Sequence, residues 1–170
     1  LDTSFNPGGG PNDTVRTILV QADGDILVGG SFTLVDGLPR GGLARLKANG
    51  SLDSLFLSSN PGANGAVLDI KLQADGNLIV VGDFTVFNGV TRRRITRLNE
   101  NGQTDPTINF GTGANSHIAA VANQSDGQIV IGGGFTSFNG IERSYFARLI
   151  GYKNLGSGQL EFLAPVFYQD

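Results

Sequence analysis

The sequence contains no cysteine. Disulfide scaffolds, zinc fingers, iron–sulfur sites and thiol nucleophiles are therefore excluded. One histidine, His117, leaves no multi-histidine metal site within a chain. No apolar run approaches the roughly 18 residues of a membrane-spanning helix. Charge is sparse: Asp, Glu, Lys and Arg make up 16% of the chain, against roughly 25% in an average domain. The net charge of −3 is a poor match for nucleic acid or an anionic membrane surface. Methionine is absent too, and the sequence opens at Leu1 in mid-pattern, which reads as a piece of a longer or processed chain. Glycine is what stands in excess, at 26 of 170 residues, about twice the usual share of roughly 7%. The apolar content of 39% is too high for disorder, and the length suits one domain with a short appendage.

Self-comparison is the most informative step. Gln21-Ala22-Asp23-Gly24 returns as Gln73-Ala74-Asp75-Gly76 and Gln124-Ser125-Asp126-Gly127, at intervals of 52 and 51 residues. Phe32-Thr33, Phe84-Thr85 and Phe135-Thr136 keep the same spacing. So do Asp36-Gly37, Asn88-Gly89 and Asn139-Gly140, and so do Arg45-Leu46, Arg97-Leu98 and Arg148-Leu149. Three units of about 51 residues, near 1–51, 52–103 and 104–150, fill the chain to residue 150.

Each unit reads as four short strands. Val15 to Val20 begins the first, with Val67 to Leu72 and Ile118 to Val121 as its copies. An Asp-Gly pair follows, the signal of a tight primed hairpin turn. The second strand is continuously apolar (Ile26 to Val28, Leu78 to Val81, Ile129 to Ile131) and suits burial on both faces. The glycines ending it predict a bulge or a close backbone approach. A loop of about nine residues holds the second turn pair, before a third strand at Leu43 to Leu46, Ile95 to Leu98 and Phe146 to Leu149. Leu52 to Phe56 is read as the fourth strand, with Leu1 to Phe5 as its earlier copy. No segment has helical periodicity. The expected fold is all-β and β-propeller-like, with a threefold β-trefoil or β-prism as the alternative. Three blades fall short of the usual four to eight, so the chain belongs to a longer array, shares a ring with other chains, or takes the threefold alternative.

These landmarks resemble the bacterial delta-sixty repeat family, on Leu1-Asp2-Thr3-Ser4-Phe5-Asn6-Pro7-Gly8 and Ile26-Leu27-Val28-Gly29-Gly30-Ser31-Phe32-Thr33. The resemblance implies a propeller-like fold within large secreted, cell-surface or adhesin-type proteins, and no catalytic residues. The tail, 151–170, departs from the pattern. Gly156-Ser157-Gly158 reads as a joint, and the extended segment after it either docks as a strand or begins a next domain.

The candidate chemistry follows the repeat. Asp23, Asp75 and Asp126 read as turn residues, since a calcium loop needs six to eight oxygens around the ion and the copies vary after Asp-Gly. Phe32, Phe84 and Phe135 read as core. Arg45, Arg97 and Arg148 lie within strands and recur with Asp2, Asp53 and Asp105, which predicts structural ion pairs between strands or blades. Arg40, Arg92 and Arg143 lie on loops, with Arg93 beside the second and Tyr145 near the third. A set of loop arginines suits an anionic sugar or an acidic partner. His117 has no partner that would make it a base, and no nucleophile elbow or phosphate loop stands in the required context. Carboxylates that recur with every unit match structure better than a single active site. The expected function is non-enzymatic, without metal or cofactor: a structural or interaction module of a secreted, cell-surface, filament or phage-fibre type assembly, extracellular or on a virion, contacting other subunits or neighbouring domains. A lectin-like module with repeated loop pockets for a surface glycan is the alternative.

Overall fold

The computed structural model describes residues 2–59, 61–150, 153–154 and 160–161. Among them no helix occurs. The first unit holds β1 (Val15–Val20), β2 (Ile26–Gly30), β3 (Leu34–Val35), β4 (Leu38–Pro39) and β5 (Leu43–Leu46). The second holds β6 (Val67–Leu72), β7 (Leu78–Gly82), β8 (Val86–Phe87), β9 (Val90–Thr91) and β10 (Ile95–Leu98). The third holds β11 (Ile118–Asn123), β12 (Ile129–Gly133), β13 (Ser137–Phe138), β14 (Ile141–Glu142) and β15 (Phe146–Leu149). Two further short strands, β16 (Lys153–Asn154) and β17 (Leu160–Glu161), pair with each other. The expected joint at 156–158 and most of the tail lie outside the described residues, as does Leu1.

In every unit the long apolar strand is central: the sheets run β1-β2-β5, β6-β7-β10 and β11-β12-β15, all antiparallel. β1 lies beside β6 and β6 beside β11, so successive sheets pack face to face as blades. Leu27 and Leu43 of the first unit, with Phe56 and Leu57 of the connector that follows, meet Val67, Ile70, Val80 and Leu98 of the second in one cluster. Ile79, Val81 and Ile95 of the second meet Ile118, Val121, Ile131 and Leu149 of the third in another. Alternation along each strand sends one set of side chains backward and the other forward.

Three expectations need correction. The Asp-Gly turn after β1 is not a primed turn: only Gly24 has positive φ, and its N–H donates to Gln21 O. It is a three-residue loop closed by a glycine bulge. The primed geometry sits at the second pair, where Asp36 and Gly37 (φ 51° and 75°), Asn88 and Gly89, and Asn139 and Gly140 are all left-handed. The nine-residue loop is therefore a small hairpin, β3-β4, with copies β8-β9 and β13-β14. The fourth strand shrinks to single bridges, Leu46 to Leu52 and Leu98 to Thr104. The cause is the aspartate that follows: Asp53 Oδ1 accepts the Leu55 N–H and Asp105 Oδ1 the Thr107 N–H, turning the chain out of extension.

The glycines at the end of the central strands have a definite role. Each inner strand carries a register shift, at Val15/Thr17, Val67/Asp69 and Ile118/Ala120. The bulge brings a carbonyl onto the opposing glycine. A Cβ on Gly30, Gly82 or Gly133 would collide with the oxygen of Thr14, Ala66 or His117.

The recurring Phe-Thr also resolves. Phe32, Phe84 and Phe135 are fully buried. Thr33 and Thr85 stand in a clamp with Asn12 and Asn64, and Thr136 with Asn115. Each Asn oxygen takes two backbone N–H groups, and each amide donates to the Thr hydroxyl. Phe84 packs edge-on to Phe87 at 5.4 Å inside the cluster between the first two blades. Phe84→Ala is expected to cost about 3–5 kcal/mol in urea unfolding; a loss under about 1 kcal/mol would contradict this packing.

Candidate functional site

The strand arginines form a structural network. Arg45 leaves β5 beside Asp53, its Nε 2.8 Å from Oδ2, while Lys47 reaches the same oxygen and Asp25. The guanidinium lies 4.7 Å over the Phe56 ring and donates to Glu100 O in the next blade. Arg97 repeats the pairing with Asp105, Nε to Oδ2 at 2.7 Å, and adds Asp75. Arg148, in the third copy, is exposed. Asp2 pairs with no arginine; it accepts from Ser4. Asp23, Asp75 and Asp126 each accept the N–H two residues on, as turn residues do. Among the described residues no group of three or more acidic or histidine side chains is arranged to hold a metal.

Asp69, not expected from the sequence, links all three inner strands. It accepts from Val121 N at 3.0 Å, meets Thr17 Oγ1 at 3.4 Å and pairs with Lys71. It has no copy, since its equivalents are Thr17 and Ala120, and the repeat therefore carries no sign of it.

The loop arginines do not behave alike. Arg40, Arg92 and Arg143 follow the small hairpin in each blade, and each sends Nη1 to the preceding carbonyl, Pro39, Thr91 and Glu142. Arg143 and Arg93 are exposed and Arg92 is half-exposed, but Arg40 is 94% buried because its relative exposure is 6%. Burial draws its guanidinium pKa down, opposed by the Asp53 charge. Tyr145 is exposed, with φ 69° at the position held by Gly42 and Arg94 in the other copies. Arg40 stands in the first blade, Arg92 and Arg93 in the second, and Arg143 and Tyr145 in the third.

The end blades carry uncovered apolar surface. Ile18 of β1 is 65% exposed, while its copies Ile70 and Val121 are 1% and 3% exposed beneath the preceding blade. Val20 beside it is equally bare. At the other end Phe146 is 65% exposed, where Leu43 and Ile95 are buried beneath the following blade.

Stacked three-stranded blades with buried central strands, joined through turns in fixed register, define a β-propeller repeat protein. A family model described as a domain of unknown function (DUF5122) beta-propeller matches residues 21–56, 73–107 and 124–149, and the chain belongs to that family. Comparison with curated proteins and with solved structures finds no match. The family sets the fold as a propeller and leaves the site to the geometry.

The ion pairs carry a pH prediction. Burial alone would raise the Asp105 carboxyl, but the Thr107 hydroxyl and N–H together with Arg97 outweigh it and hold it below the ordinary carboxylate range. Asp53 is depressed in the same direction by the Leu55 N–H, Arg45 and Lys47 against its burial. A depressed folded pKa gives stability that is complete above the unfolded value near ~3.9 and is lost as pH falls through the folded value. Urea midpoints should therefore be flat near neutrality and fall steeply below about pH 4. Asp105→Asn should cost about 3 kcal/mol at pH 7 and flatten the acid limb; an unchanged limb would remove Asp105 from this role.

Proposed function

We propose that this chain is a non-enzymatic scaffold whose end blades dock onto further blades, with its repeats of the bacterial delta-sixty type. Its setting is a secreted, cell-surface, filament or phage-fibre type assembly serving adhesion or subunit contact. The observation that carries this reading is the contrast between Ile18 and its buried copies Ile70 and Val121. The same position in the same repeat is covered wherever a preceding blade exists. Leaving Ile18 in water forgoes about 1.5–3 kcal/mol.

The occupant that fits the β1 face is another blade of this kind, because the two internal interfaces already show what covers that face. Among the described residues the complementary surface is the outgoing face of the third blade, which a second copy can offer, with Phe146 where Leu43 and Ile95 stand in the internal interfaces. Two copies give six blades, within the usual four to eight. The recurrence of the charged residues supports the same reading, since Arg45, Arg97 and their aspartates are consumed in holding each connector against its own outer strand.

Light scattering at micromolar concentration should return a multiple of 17.8 kDa. Ile18→Lys should shift the mass to a single chain while leaving the far-ultraviolet spectrum of the blades unchanged. A monomer at all concentrations, with or without the substitution, would overturn the docking.

A further inference from the structure

The interval between the first two units is one residue longer than between the next two, 52 against 51. The extra residue falls in the connector. Phe5 to Gly10 and Ile108 to Gly113 span five positions, whereas Phe56 to Gly62 spans six. The longer connector puts Leu57 in the left-handed region at φ 56° with its side chain buried. It is anchored at Pro61, whose carbonyl accepts the Gly41 N–H at 3.0 Å, directly beside Arg40. Between connector and β3-β4 hairpin lies a cleft of about 520 Å³, bounded by Leu38, Pro39, Arg40, Leu57 and Ser54, Ser58 and Ser59. Its size falls in the range of small-ligand sites. The blade architecture does not require this cleft, because the five-position connector from Ile108 to Gly113 also packs into its interblade cluster, through Ile108 and Phe110.

Arg40 is the anomaly within it. Nη1 donates to Pro39 O at 2.7 Å, but the buried Nε has no hydrogen-bond partner. The Nε–Nη2 edge is the edge that Arg45 uses to grip Asp53. Asp53 acts on Arg40 through its charge without forming an ion pair with it. Asp25 and Asp53 are engaged by Arg45 and Lys47, so three cations share two carboxylates. A buried guanidinium without a paired anion is costly, and its planar fork matches a carboxylate.

We propose that this cleft binds the carboxylate of a small sugar acid, with the Arg40 guanidinium taking the carboxylate and the three serine hydroxyls meeting the ligand's hydroxyls. Serine both donates and accepts, which suits a polyol. The site is independent of blade docking: a monomer that binds and an oligomer that does not are separate results.

The test is calorimetric titration of the 170-residue chain with sodium glucuronate, methyl glucoside and N-acetyl-aspartate. Glucuronate should bind saturably and methyl glucoside should not. Arg40→Met should weaken glucuronate binding by at least about tenfold with no loss of thermal stability, since it removes an unpaired buried charge. Arg92→Met loses the same bond to the preceding carbonyl and should bind as the parent does. If Arg40→Met fails to fold, the exposed pair Ser58→Ala/Ser59→Ala serves instead and should weaken binding several-fold. Absence of saturable glucuronate binding, or binding untouched by these changes, overturns the proposal. Tighter binding of N-acetyl-aspartate overturns its sugar-acid assignment.

Discussion

A three-stranded blade of this sequence has two apolar faces and cannot cover either by itself. β7 has buried side chains on both sides, Leu78 and Val80 toward the first blade and Ile79 and Val81 toward the third. Neither set is shielded within its own sheet. Stability therefore resides in the contact between blades, as expected for arrays whose energy is a sum of unit and nearest-neighbour terms. The connector between units is part of that contact: Phe56 and Leu57, then Ile108 and Phe110, lie within the interblade clusters. Phe5 takes the equivalent place on the first blade, packed with Val28 and Leu46 but without a blade beyond it.

Polar groups serve the same end. Arg45 and Arg97 draw each connector aspartate against its own outer strand, and Arg45 continues to the turn of the next blade at Glu100. Asp69 ties the inner strands from the opposite side. These carboxylates are engaged in positioning backbone. What distinguishes one copy from another is then the informative part: the longer connector over Arg40, the exposed Tyr145 where the other copies have Gly42 and Arg94, and the bare faces at Ile18 and Phe146.

Much of the fold was legible because the sequence states it three times. The central apolar strands, the buried phenylalanines and the bulge at the strand-end glycines all follow from residue type and period. The turn types did not, because Asp-Gly serves either a primed turn or a glycine bulge, and the flanking strands decide which. Leu52 to Phe56 matched a strand by composition, but the Asp53 side chain competes for the backbone and ends it. Ile18 has the pattern of its buried copies, and what separates them is that no preceding blade stands against it among the described residues. The burial of Arg40 left one faint trace, the single extra residue in a connector. The Asn12, Asn64 and Asn115 clamps lay in plain register and were the clearest missed signal.

The central claim is that each blade is stabilised by its neighbours. Hydrogen exchange of the inner-strand amides against protein concentration tests it most directly. At the lowest concentration β6, covered on both sides, should be the most protected, and β1 should gain protection as concentration rises and its face is covered. Equal protection in all three inner strands, independent of concentration, would contradict the account.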